Sequence, residues 1–191
     1  MADTGWLFFD NAVSEAYSGS DDNWDDPGNA LIDDVSCASV NGLLDGYNSD
    51  YLKLYGLAGH GIPGGSTIDG IELRIERKSA GGFYSDHVVR LHKDGTAGGD
   101  NKKAGATWPA SLEWSGTYGG AADMWSTGYD YSDIIDSGFG VKIAVISVFS
   151  LFAFTQSIYR VNIKVHYTEK TTLGAVALKI MGVIQAKIMG V

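Results

Sequence analysis

Cysteine is almost missing from this chain: Cys37 stands alone among 191 residues. No intrachain disulfide can form, and the sequence suits assembly in a reducing cytosol, with Cys37 as a small core residue. Proline is equally scarce, with three against 26 glycines, so turns must be made by glycine rather than by rigid proline corners. Positive charge is short as well. Fourteen Lys and Arg face 23 Asp and Glu, for a net charge of −9, and no basic stripe is visible, which argues against nucleic acid as a partner. The start, M-A-D-T-G-W, lacks the basic and apolar regions of a signal peptide. Long apolar runs are missing too. The nearest, Phe139 to Phe154, contains Lys142 and two serines and falls short of the roughly 20 residues that a helix needs to cross a bilayer. Its Val, Ile and Phe content predicts two consecutive buried strands joined near Ser147 to Ser150.

What the chain does have is alternation. In I-D-G-I-E-L-R-I-E-R-K, Ile68 to Lys78, the residues Ile71, Leu73 and Ile75 alternate with Glu72, Arg74 and Glu76. A period of two sends one set to a core and the other outward, which predicts a half-buried strand. Near the end, Tyr159, Val161, Ile163, Val165 and Tyr167 alternate with Arg160, Asn162, Lys164 and His166. Two such strands about ninety residues apart imply a sheet closed by long-range pairing. Further strands are expected at Trp6–Phe9, Val35–Val40, Asp50–Leu57 and Val88–Lys93. Asp94-Gly95 reads as a hairpin turn whose return leg is Asn101–Ala106. Residues 107–131 are rich in aromatics and glycine, with a short strand or edge at Asp123–Trp125. Nine or ten short strands and no convincing amphipathic helix point to an all-β fold, an antiparallel β-sandwich of jelly-roll type over residues 1–168.

The tail differs. After a linker at 169–172, A-L-K-I-M-G-V-I and Q-A-K-I-M-G-V repeat with period eight. An even period keeps equivalent residues on one face of an extended strand, whereas a helix would rotate them by about 80°. Residues 169–191 are therefore expected to form an extended docking arm, with Ile180, Met181, Val183, Ile184, Ile188 and Met189 as its contacts.

Chemistry is harder to find. There is no G-x-S-x-G elbow and no histidine placed for Cys37. His87 and His92, five apart, should fall on opposite faces of a strand and so share no metal. Glu72, Glu76, Glu113 and Asp123 are the carboxylates that could pair in space, but no spacing links them. The six aspartates between Asp21 and Asp34 read either as a calcium loop or as a solvated turn region pinned by Trp24. Trp108, Trp114 and Trp125 read either as a platform stacking on host glycan or as core residues that bury large areas. No enzyme activity, cofactor or metal is expected.

The order W-D-D-P-G-N-A, S-D-Y-L-K-L-Y-G-L, I-P-G-G-S-T-I-D-G-I-E-L-R-I-E-R-K, V-V-R-L-H-K-D-G, Y-G-G-A-A-D-M-W, D-S-G-F-G-V-K-I and Y-R-V-N-I-K-V-H-Y resembles a β-sandwich domain that recurs in structural proteins of tailed-bacteriophage virions. Repeats similar to K-I-M-G-V also occur in phage particle proteins. The resemblance covers roughly residues 20–168 and the tail, and no catalytic residues come with it. It implies a virion component assembled in the bacterial cytoplasm: a head decoration or minor capsid protein, or a tail or fibre protein. Other virion proteins would be its partners, and a homo-oligomer, with a trimer as one reasonable expectation, would be its form. The apolar run Phe149 to Phe154 departs from the polar loop expected there and marks a contact specific to this chain.

Overall fold

A computed structural model describes residues 1–171 apart from positions 21, 33, 58 and 151. The docking arm's six contact residues, Ile180 to Met189, lie outside the described residues. Among these there are eleven strands in two antiparallel sheets, an all-β sandwich. One sheet is built on β5 (Thr67–Ser79) and β11 (Gln156–Thr168), which pair along their whole length from Thr67↔Thr168 to Ser79↔Gln156. The two alternating stretches thus meet as the sequence predicts. β1 (Ala2–Asp3) and β3 (Ala38–Val40) extend this sheet beside β11, and β8 (Glu113–Trp114) and β9 (Tyr118–Gly120) extend it beside β5. The second sheet runs in the order β2 (Phe9–Glu15), β4 (Tyr51–Leu57), β10 (Phe139–Phe149), β6 (Phe83–Lys93) and β7 (Thr96–Gly98). Between the sheets, Ile71, Leu73, Ile75, Val161, Ile163 and Val165 meet Leu52, Leu54, Val89, Leu91, Val141 and Ile143, all fully buried. Removing that apolar area from water, at about 25 cal/mol per Å², holds the layers together.

Several local expectations are corrected. The strand expected at Trp6–Phe9 begins only at Phe9, as β2, and Leu7 makes only an isolated bridge to Ile163. The apolar run yields one strand, because the chain leaves β10 at Phe149, and Ser150 and residues 152–154 are not strand. At Asp94-Gly95 both residues adopt positive φ, 50° and 78°, the signature of a tight hairpin turn. The return leg, however, is β7 at Thr96–Gly98 rather than Asn101–Ala106. Asp123–Trp125 is no strand: Asp123 makes an isolated bridge to Gly120 and accepts at the β5 edge from Ile71 N at 3.0 Å, and Trp125, at φ 55°, lies in a turn.

Among the register shifts in the long strand pairs, two reset the alternation, at Tyr159 and at His87. In β11 the partner of Ile158 is Arg77 and that of Arg160 is Glu76, so Tyr159 is an extra residue. Ile158 therefore enters the core and Tyr159 turns outward, where Lys78 sits 5.2 Å from its ring centre. In β6 the partners of Val88 and Asp86 are consecutive residues of β10, which makes His87 the extra one. It joins Arg90 on the outer side of the sheet, so His87 and His92 do not take opposite faces. A bulge adds one residue and shifts the phase by one. Among the described residues no three His, Cys, Asp or Glu cluster as a metal site, and no helix is long and apolar enough to cross a membrane.

Candidate functional site

The inward series of β5 does not stop at Ile75. Arg77 is the next inward residue, 5% exposed, and it forms an ion pair with Asp86 of β6, which is 2% exposed. Charges this deeply buried are costly unless hydrogen bonds compensate them, and of the pair's buried side-chain atoms only Arg77 Nε has no partner among the described residues. Asp86 accepts from Trp108 Nε1 at 2.9 Å, from the Tyr118 hydroxyl at 2.7 Å and from the Ala104 amide at 3.0 Å, while Arg77 Nη1 also donates to Tyr118 at 2.8 Å. Burial, then the Asp86 charge, pushes the Tyr118 phenol well above its ordinary value, so it stays a donor. Trp125, fully buried, donates its Nε1 to Ile71 O at 2.9 Å. The Gly-rich aromatic segment is thus a wall that closes the sandwich beside β5 and β6. A Cβ on Gly119 would come within 2.2 Å of Ile71 O and 2.4 Å of Trp125 Nε1, so only glycine lets the wall approach so closely.

This placement breaks the expected glycan platform. Trp108 and Trp125 are core residues, and Trp114, half-buried on the outer face of β8, lies 4.1 Å from Arg74 and 4.7 Å from Arg160. The three share no rim. The four carboxylates also stay apart: Glu72 faces Lys164 and His166, Glu76 binds Arg160, Glu113 accepts from Ser111, and Asp123 pairs with Lys102. In the aspartate-rich loop Trp24 is buried and donates to Asp50 O at 2.9 Å, which pins the loop to β4. Asp21 and Asp33 of that loop lie outside the described residues.

An open apolar surface sits at one end of the sandwich, where β5 turns into β6 and β10 into β11. A groove of about 180 Å³ is lined by Gly82, Phe83, Phe149, Ser150, Phe152 and Phe154. Phe83 is 55% exposed, Phe149 54% and Phe152 69%, and the first two rings lie 6.3 Å apart. Its construction is local. A bulge at the end of β10 brings Phe149 opposite Phe83. Gly81 is needed beneath Phe154, whose ring would be 2.7 Å from any Cβ there. A hydrogen bond from Ala80 N to Thr155 O (2.9 Å) ties the two turns together, and Gln156 Nε2 donates to Phe154 O (3.2 Å) within the second. The loop at 44–47 bonds to Ser147 and adds exposed Leu44 and Tyr47 at the same end. Single exposed apolar residues are ordinary, but a contiguous aromatic group marks an interaction surface. The sequence signal was the F-S-L-F-A-F run itself, read for burial when it is in large part displayed.

Comparison of the chain with protein-family models, with curated proteins and with solved structures gave no match.

Proposed function

We propose that this chain is a non-enzymatic structural subunit of a tailed-phage virion, of the head-decoration or minor-capsid kind. It is displayed on the particle and anchored by end-to-end docking. The observation that carries the docking is the open aromatic groove; the virion setting rests on the residue-pattern resemblance. The occupant of the groove is residues 173–191 of a neighbouring copy. β11 runs thirteen residues, about 40 Å, from the groove end at Gln156 to its exit at Thr168. Groove and chain exit therefore lie at opposite ends of the sandwich, the arrangement of a heterologous, head-to-tail contact. The twenty residues after 171 span up to about 70 Å when extended, enough to reach a neighbour. Their Ile, Met and Val side chains match a lining dominated by four phenylalanines, and repeated copies add avidity.

Light scattering on the full chain, on a chain ending at Glu169, and on the Phe149→Ser/Phe152→Ser double variant tests this. A defined oligomer for the full chain and monomers for the other two is expected, together with loss of incorporation into particles when residues 173–191 are removed. Oligomers that survive both changes, or a full chain that is monomeric, would sink the docking scheme. Unchanged incorporation of the shortened chain would sink the virion anchor.

A further inference from the structure

The outer face of the second sheet gathers cations that the sequence keeps far apart. Lys53 on β4, Lys142 on β10 and Arg90 on β6 stand directly opposite one another in register. Like charges so placed repel. Glu15 on β2 takes two of them, with one carboxylate oxygen to Lys53 and the other to Lys142. Burial pushes the Glu15 carboxyl up, and hydrogen bonds from Lys142 and Lys53 more than reverse this, holding it below the usual carboxylate range. Three cations and one carboxylate leave Arg90 over. Among the described residues its guanidinium has no hydrogen bond and no ion pair. Asp100, which is near enough to feel it, is engaged by Ser126 at 2.8 Å and Lys102 at 3.2 Å.

Arg90 opens on a cavity of about 270 Å³ lined also by Tyr17, Tyr51, His87, Asn101 and Lys103, with no carboxylate in its lining. Tyr17 forms an aromatic wall, its ring 4.5 Å from that of Tyr51 and 5.6 Å from that of His87. Burial, then Lys103, lowers the His87 pKa, so the imidazole is a neutral part of this wall near pH 7. Asn101 helps to hold the wall: it accepts from the Val89 and Lys103 amides at 2.9 and 3.2 Å and donates one N–H to His87 O at 3.0 Å. What converges on the cavity without a protein partner among the described residues is therefore two cations, Arg90 and Lys103, and two phenolic hydroxyls. Cationic donors of this kind recognise an oxyanion. Aromatic walls with free hydroxyls suit a hydroxylated ring, one face apolar and the edge polar. The volume lies just under the roughly 300–1,000 Å³ of ligand pockets, room for one sugar unit.

We propose that this cavity binds a single acidic sugar unit, a pyranose bearing a carboxylate or a phosphate, with Arg90 and Lys103 on the oxyanion and Tyr17 and Tyr51 against the ring. The inference is independent of the docking groove, which lies at the end of the sandwich and not on this face.

Titration of the full chain with D-glucuronate, D-glucose 6-phosphate, D-glucose and inorganic phosphate, followed by backbone amide shifts of Val88, Ala97 and Asn101, tests it. Saturable shifts with glucuronate or the sugar phosphate are expected, and which of them binds more tightly identifies the anion. Arg90→Gln should weaken that binding by about tenfold or more, Lys103→Gln by less, with the rest of the spectrum unchanged to show that both variants fold. Glucose binding as tightly as glucuronate, inorganic phosphate binding as tightly as either acidic sugar, or no saturable shift with any probe would overturn the assignment. So would acidic-sugar binding that Arg90→Gln leaves intact. Because the oligomeric state does not enter this readout, failure here leaves the docking scheme standing, and the reverse.

Discussion

The two outer faces of the sandwich solve the same problem in opposite ways. On the β5–β11 face the charges are complementary across the strands: Glu76 lies opposite Arg160, Glu72 opposite Lys164, and Arg74 opposite Asn162. Arg74 is stacked between the Trp6 and Trp114 rings at 4.3 and 4.1 Å, and Lys164 sits 4.5 Å from Trp6. Each cation there has a carboxylate or a ring on it. On the β4–β10–β6 face three cations share a row with one carboxylate, and Arg90 opens on a cavity. A face whose charges are satisfied internally is finished as structure. A face with a cation left over is arranged for something the chain does not itself contain.

The largest effect in this contrast belongs to the charge pair buried between the faces. Asp86→Ala leaves Arg77 inside the sandwich without its counter-ion and strips Trp108 and Tyr118 of their acceptor, so a loss of about 3–5 kcal/mol is expected in denaturant unfolding. A loss under about 1 kcal/mol would mean that Arg77 escapes to solvent and that the aromatic wall does not depend on the pair.

A smaller effect comes from His92, buried on the unbalanced face. Burial, with the Lys142 and Lys53 charges adding to it and the Leu54 carbonyl at 3.2 Å opposing it, holds its pKa down at about 4 against an ordinary 6.5. The imidazole is neutral in the folded chain and becomes charged more easily when unfolded. Its contribution is therefore fully present above pH 6.5 and is lost as pH falls through about 4, a swing of about 3 kcal/mol. Stability measured between pH 7 and 4 should fall less steeply in His92→Gln than in the parent; equal slopes would remove His92 as the source.

How much of this was legible beforehand follows from the same contrast. The β5–β11 face could be read because both strands alternate without interruption over the paired core, so E-L-R-I-E facing R-V-N-I-K-V-H declares its own complement. The wall of residues 107–131 was recognised as aromatic and turn-rich. Whether Trp108 and Trp125 faced in or out depended on Asp86 and Ile71, acceptors that lie 22 and 54 residues away. The cation row was invisible for two reasons. Its members come from three strands, with no basic stripe in any one of them, and the bulge at His87 shifts the phase that a count of two assigns. Phe149 and Phe152 drew two readings, as part of a buried strand and as a chain-specific contact, because composition distinguishes an apolar run from a polar one, not a buried run from an exposed one.

A smaller effect again is expected on the balanced face. Arg74 is half-buried between two indoles, where burial and then the neighbouring Arg160 charge lower its pKa. Each exposed cation–π contact is worth about 0.5–1 kcal/mol, so Arg74→Ala should cost about 1–2 kcal/mol in unfolding free energy. Arg74→Lys should recover only part of that, because an ammonium cannot stack flat between two rings. Arg90→Gln, removing the cation that has no partner, should change stability by less than about 0.5 kcal/mol in either direction. The two arginines thus separate the faces: one is held by the fold and is missed when removed, and the other is held for a ligand and is missed only when that ligand is present. Equal losses for Arg74→Ala and Arg90→Gln would mean that Arg90 is held by the fold in the same way, and the contrast between the faces would collapse.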